Sequence, residues 1–140
     1  MDKYYTIGYG GWAPQDFLDA LIARGVTTIV DVRLRPDRAY RGTWVKAKTP
    51  EKGIERLLAS EGIKYAGNPE LFGNPFIDVA DWRAPYQSHV EQHGPEMVSF
   101  LLRVEKPFAL MCAERKVTAC HRQYIAACLA RRGWDVEHIE

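Results

Sequence analysis

Two stretches near the amino end decide the fold: Tyr4-Tyr5-Thr6-Ile7-Gly8-Tyr9-Gly10-Gly11-Trp12-Ala13-Pro14 and Thr27-Thr28-Ile29-Val30-Asp31-Val32-Arg33. Tyr4–Ile7 reads as a short strand stopped by Gly8-Tyr9-Gly10-Gly11, and Thr27–Val32 is a β-branched, apolar strand. Between them Pro14 suits a first helical position, and Phe17, Leu18, Leu21 and Ile22 make an apolar stripe closed by Gly25. Two strands joined through a helix pair in parallel, because a hairpin would not need the crossover. The chain therefore starts as an α/β protein.

The same alternation continues. Thr49-Pro50 starts a second helix with Ile54, Leu57 and Leu58 inward, and Ile63–Ala66 is a third strand. Residues 67–94, broken by Pro69, Pro75 and Pro85, read as a long irregular excursion, a length that usually marks a functional loop. Pro95 is expected to open the next helix (Val98, Leu101, Leu102). Phe108–Cys112 is the fourth strand, Ala119–Arg132 the fourth helix and Trp134–Ile139 the fifth strand. The expected architecture is a single Rossmann-like three-layer domain over residues 1–140. It has a mostly parallel five-stranded sheet in the order 3-2-1-4-5, with helices on both faces.

The 140 residues are 46% hydrophobic and 26% charged, ordinary for a globular chain. No apolar run approaches the ~20 residues of a membrane span, the start lacks a signal-peptide core, and three cysteines fit reduced thiols better than a disulfide framework. These readings place the protein in the cytoplasm. The net charge of +1 hides a local patch: Arg33, Arg35, Arg38, Arg41, Lys46 and Lys48 face Asp37 alone, with Tyr40 and Trp44 interleaved. Such a loop attracts phosphates and offers rings for base stacking; a solvated surface run is its plainer reading.

Chemistry concentrates at Cys112-Ala113-Glu114-Arg115 and Cys120-His121-Arg122. Cys112 ends a buried strand. Thr118 is expected to cap the next helix, which puts Cys120, His121 and Arg122 in its first turn, where free amides favour anions and thiolates. Cys112, Cys120, His121 and Glu114 are the candidate catalytic groups. Gly8, Tyr9, Gly10, Asp31, Arg33, Arg115 and Arg122 are the candidate ligand-binding residues. Arg35, Arg38, Arg41, Trp44, Lys46 and Lys48 form a candidate nucleic-acid patch. Gly8-Tyr-Gly10-Gly-Trp-Ala13 also matches a G-x-G-x-x-A dinucleotide fingerprint, although Pro14 sets the helix after it. Cys112, Cys120, His121 and Cys128 offer metal-ligand types without metal-ligand spacing, so neither metal nor cofactor is assigned. For Glu114 the favoured role is to neutralise Arg33 or Arg122 and hold it in place.

Thr6-Ile7-Gly8, Val30-Asp31-Val32-Arg33, Pro69-Glu70-Leu71, Cys112-Ala113-Glu114 and Cys120-His121-Arg122, in that order, resemble a widespread bacterial and archaeal family, domain of unknown function 488. The resemblance implies a compact Rossmann-like domain, and an association with nucleic-acid metabolism has been suggested for members. It names no reaction. Gly8-Tyr9-Gly10 departs from the Gly-His step that is common there, so an imidazole role at that turn is lost. The reading backed from sequence is a phosphate-handling domain that binds a nucleotide or nucleic acid at the carboxyl edge of the sheet. The alternatives are a Cys-dependent enzyme of sulfur or phosphoryl transfer and a dinucleotide-binding module.

Overall fold

Apolar strands separated by amphipathic helices bury themselves by lying side by side, and this chain does so in one five-stranded sheet. The computed structural model describes residues 3–140. In chain order the elements are β1 Lys3–Gly8, α1 Pro14–Ile22, β2 Thr28–Asp31, α2 Gly53–Ala59, β3 Lys64–Gly67, α3 Pro69–Phe72, α4 Arg83–Leu102, β4 Phe108–Cys112, α5 Arg122–Ala130 and β5 Asp135–Ile139. All strand pairs are parallel. Along the strands, side chains alternate between two apolar cores. Tyr4, Val30, Phe108 and Leu110 meet Val90 and Met97 of α4 and Ile125 and Leu129 of α5. Tyr5, Ile7, Ile29 and Met111 meet Phe17 and Leu21 of α1 and Ile54 and Leu58 of α2.

The sheet order is β3-β2-β4-β1-β5, which corrects the expected 3-2-1-4-5. β4, not β1, separates β2 from the rest. All five residues of β4 are buried, and the centre of a parallel sheet is the place that covers a strand on every side. β5, Asp135-Val-Glu-His-Ile139, is half polar, and β3 is partly exposed, so these two take the edges.

Two boundaries also move. Pro95 does not open a helix: α4 begins at Arg83 and runs through it. Pro95 removes one backbone donor, but Tyr86, Val90, Gly94, Met97 and Leu101 form a continuous buried stripe that holds the helix together across it. The expected excursion at 67–94 therefore shrinks to the stretch between α3 and α4. The second helix likewise starts at Gly53 rather than Thr49, after a turn that bonds the Ile54 amide to Val45. Among the described residues, no helix is long and apolar enough to cross a membrane.

Candidate functional site

The corrected order sharpens the location of the site. After β1 and β2 the chain travels toward the β3 edge; after β3 and β4 it travels back toward β5. The connections after the neighbouring strands β2 and β4 therefore part, and open α/β sheets form a crevice at the carboxyl ends of strands at such a point. In register, Gly8 lies opposite Cys112 and Asp31 opposite Met111, so the three central strands end level. A cavity of about 380 Å³ opens there, in the range of small-molecule sites. Cys112, Cys120 and His121 form its inner wall, and Arg33, Arg35 and Arg38 line another side.

At its centre is Arg122. The side chain is fully buried, and its Nη1 donates to Cys112 Sγ at 2.8 Å and to the Glu114 carbonyl at 2.6 Å. Nη2 donates to the Arg115 carbonyl at 3.0 Å, and Nε to Thr6 Oγ1 at 3.2 Å. Burial pushes its pKa down to about 10, with Glu114 and Glu140 only partly offsetting this. Among the described residues no carboxylate lies within ion-pair distance of this guanidinium. A buried cation favours a counter-charge, and the side chain it points at is Cys112. The guanidinium proposed from sequence as a phosphate contact is thus engaged by Thr6, Cys112 and the Glu114 and Arg115 carbonyls.

Cys120 faces the same cavity. Its sulfur is in bonding contact with that of Cys112, with Cα atoms 7.3 Å apart. That corrects the expectation of three separate thiols; Cys128 alone is free, buried in α5 with Arg132 donating to it. The expected Thr118 cap is also absent. A 3-10 turn occupies Val117–Ala119, Cys120 is extended, and His121 is the cap residue of α5. The Arg122 amide, first of the helix, donates to Cys120 Sγ at 3.4 Å.

His121 Nε2 lies 2.6 Å from the Val32 carbonyl. A carbonyl only accepts, so Nε2 carries the proton and the neutral ring turns a bare Nδ1 toward Cys120 Sγ, 3.8 Å away. Burial, followed by the charge of Arg122, pushes the His121 pKa down to about 4, although the Val32 bond opposes the shift. The imidazole is neutral at physiological pH.

Asp31 and Arg33 are paired. Arg33 Nε lies 2.9 Å and Nη2 2.7 Å from the two carboxylate oxygens, Tyr65 donates to Oδ2 at 2.6 Å, and Arg33 Nη1 donates to the Trp44 carbonyl at 2.7 Å. Burial works against the charge, but the Asp31 hydrogen bonds prevail and hold the Arg33 pKa above its usual value. Arg33 borders the cavity with its fork already occupied.

Several expected ligand contacts are spent on structure. A Cβ at Gly8 would lie against the Glu114 carbonyl, and one at Gly10 would stand 2.6 Å from the Ala113 carbonyl. The Tyr9 and Gly10 amides donate to Cys112 and Ala113 at 3.0 and 2.9 Å. The glycines let the β1–α1 turn lie against the loop after β4. Tyr9 itself is buried, yet it borders the cavity. The Arg115 guanidinium covers the Trp12 ring at 3.9 Å, outside the cavity lining. Glu114 is exposed, and its backbone carbonyl, not its carboxylate, holds Arg122.

The basic loop also divides. Trp44 is fully buried, stacked on Tyr9 and edge-on to Phe17, so it is core and not a base platform. Lys46 pairs with Glu55 at 2.8 Å. Arg35, Arg38, Arg41 and Lys48 face solvent, and Tyr40, 67% exposed, carries the aromatic stack outward. Cys112, Glu114 and Cys120 place donor atoms within 4.8 Å of one another. They are three donors, and the Arg122 guanidinium already sits on one of them, which disfavours a dication. Sequence reading missed the far wall, where Asn74, Ile77 and Trp82 come from the stretch before α4. Only its length and prolines signalled it.

A model of the family described as Domain of unknown function DUF488 matches residues 13–129. No curated protein and no solved structure matches the chain. The family match covers most of the chain, including β2, both cysteines that wall the cavity and the arginine that joins them, and the protein belongs to the DUF488 family.

Proposed function

We propose that the chain is a Cys-dependent transfer enzyme in which Cys112, as a thiolate, attacks an electrophilic sulfur or phosphorus atom of a small anionic substrate. One observation carries this reading: the buried Arg122 guanidinium, without a carboxylate partner among the described residues, donates to Cys112 Sγ at 2.8 Å. That arrangement favours the ionised thiol, the form that acts as a nucleophile. In the attack the bond to the leaving group breaks, its electron pair departs with that group, and the transferred group stays on Cys112. A second nucleophile then takes the group and restores the thiolate. Arg35 and Arg38, exposed at the cavity wall, would draw the anion in. Helices on both faces of the parallel sheet are in keeping with a Rossmann-like reading. A reducing compartment such as the cytoplasm would keep the thiols available.

The test compares alkylation of Cys112 by iodoacetate and by neutral iodoacetamide in the reduced protein. The reading expects the anion to be favoured, with the preference falling on Arg38→Ala. Equal preference in wild type and variant would remove the anionic substrate.

A second reading retains the site without chemistry: a nucleotide or single-stranded nucleic acid held by Arg35, Arg38 and Arg41, with a base on Tyr40. It is favoured by the exposed end of the Trp44–Tyr9–Tyr40 stack, with Arg41 over the Tyr40 ring. Under it, Cys112→Ser leaves ligand affinity unchanged.

A further inference from the structure

Transfer through Cys112 needs only one thiol, and the cavity holds two. Cys120 Sγ is in bonding contact with Cys112 Sγ, both open to the same cavity, and each has its own activating groups. Cys112 has the Arg122 guanidinium. Cys120 has the Arg122 amide at the amino end of α5 and the bare Nδ1 of His121, whose other nitrogen is fixed on Val32. A structural bridge would need neither a neighbouring base nor an opening to a cavity.

We propose that Cys112, Cys120 and His121 form a dithiol relay whose substrate class is an anionic disulfide, with Cys112 attacking, Cys120 resolving and His121 positioning the Cys120 thiol through Nδ1. The proposal rests on the reading of Cys112 as the nucleophile and narrows it from sulfur or phosphoryl transfer to sulfur. Of the two groups that reading allows on Cys112, only sulfur leaves Cys112 Sγ open to attack by a neighbouring thiol. A phosphoryl group on Cys112 would present phosphorus instead.

The steps balance. The Cys112 thiolate attacks one sulfur of R–S–S–R′; the S–S bond breaks and R′S⁻ leaves with the electron pair. Cys120, its S–H directed at His121 Nδ1, gives its proton to solvent or to the departed thiolate, and its own thiolate attacks Cys112 Sγ. The mixed disulfide breaks and RS⁻ departs with the electron pair. The protein dithiol has lost two electrons and the substrate has become two thiols. A small thiol reductant returns the pair to its starting state.

The experiment uses dithiobis(nitrobenzoate), an anionic aryl disulfide that releases a coloured thiolate at each step, with sites assigned by peptide mass mapping. Reduced wild-type protein should release two equivalents from this pair and end with Cys112 and Cys120 bridged and no adduct. Cys120→Ser should release one equivalent and keep the aryl adduct on Cys112. His121→Gln, which can still donate to Val32, should leave the first release unchanged and slow the second severalfold, because the Cys120 thiol loses the Nδ1 that orients it. A stable adduct on Cys112 in wild type, beside an unreacted Cys120, would overturn the relay, as would an unslowed second release in His121→Gln. No release from Cys112 in any variant overturns the nucleophile reading beneath it, and the relay with it.

Discussion

Replacing Arg122 by Met keeps the volume of a long side chain and removes the charge. The structure specifies two separate losses. The carbonyls of Glu114 and Arg115 lose their donor, at roughly 1–3 kcal/mol for each group left unsatisfied, and Thr6 keeps only its bond to His138. Relaxation and water recover part of this, so the expected destabilisation is about 3–5 kcal/mol, which a domain of ordinary stability survives. Independently, Cys112 loses a charged hydrogen bond worth about 1.5–3 kcal/mol to its thiolate form, or roughly ten- to a hundredfold in thiolate population at neutral pH. Urea denaturation reads the first quantity, and the rate of Cys112 alkylation by iodoacetamide reads the second. Arg122→Lys separates them: a point charge restores part of the reactivity but not the fork that holds two carbonyls. If Arg122→Met unfolds within about 1 kcal/mol of wild type and alkylates at the wild-type rate, the guanidinium neither holds the loop nor activates the thiol.

Three further outcomes are expected. Trp44→Ala should cost about 3–5 kcal/mol in a thermal or chemical melt, because a fully buried indole is removed from the core; an unchanged melting temperature would return Trp44 to the surface. His121 has a folded-state pKa of about 4, below the roughly 6.5 of an unfolded chain, so the unfolded state binds the extra proton. Its contribution is complete above about pH 6.5 and is lost as pH falls toward 4, by up to about 3 kcal/mol, and His121→Gln should remove that part of the acid slope. Binding of a single-stranded oligonucleotide, followed by anisotropy, should weaken steeply with salt if the solvent-facing arginines touch phosphate. Arg41→Ala should flatten that slope by about one counterion; a salt-independent affinity removes the loop from the interface.

The fold was legible wherever a local signal had no competitor. Thr28–Asp31, Phe108–Cys112 and the α1 stripe carry their periodicity openly, and each forms the element it implies. The place of β4 was not legible, because β1 and β4 are equally apolar runs and loop lengths alone do not say which one inserts next to β2. Only the polar half of β5 hinted that it would sit at an edge. Pro95 misled for a related reason: its local preference argues for a boundary, and the buried stripe that overrides it is visible only once α4 has been packed against the sheet. At the site, residue type was legible and purpose was not. Arg122 reads in sequence as a phosphate ligand, yet its partners come from β1, from the end of β4 and from the following loop, a convergence the chain order does not display. Gly8 and Gly10 match a nucleotide fingerprint for the same reason that they fit here: both settings require backbone to approach backbone.

The most direct test of the account is the pH profile of iodoacetamide labelling, resolved by residue, in the fully reduced wild-type protein. Cys112, which lines the cavity, should label at neutral pH, with its rate rising to a plateau well below the ~8.5 of an ordinary thiol, while Cys128, outside that lining, stays protected. A Cys112 that labels only above that range, or no faster than Cys128, would contradict the claim that Arg122 holds a thiolate at the carboxyl end of β4.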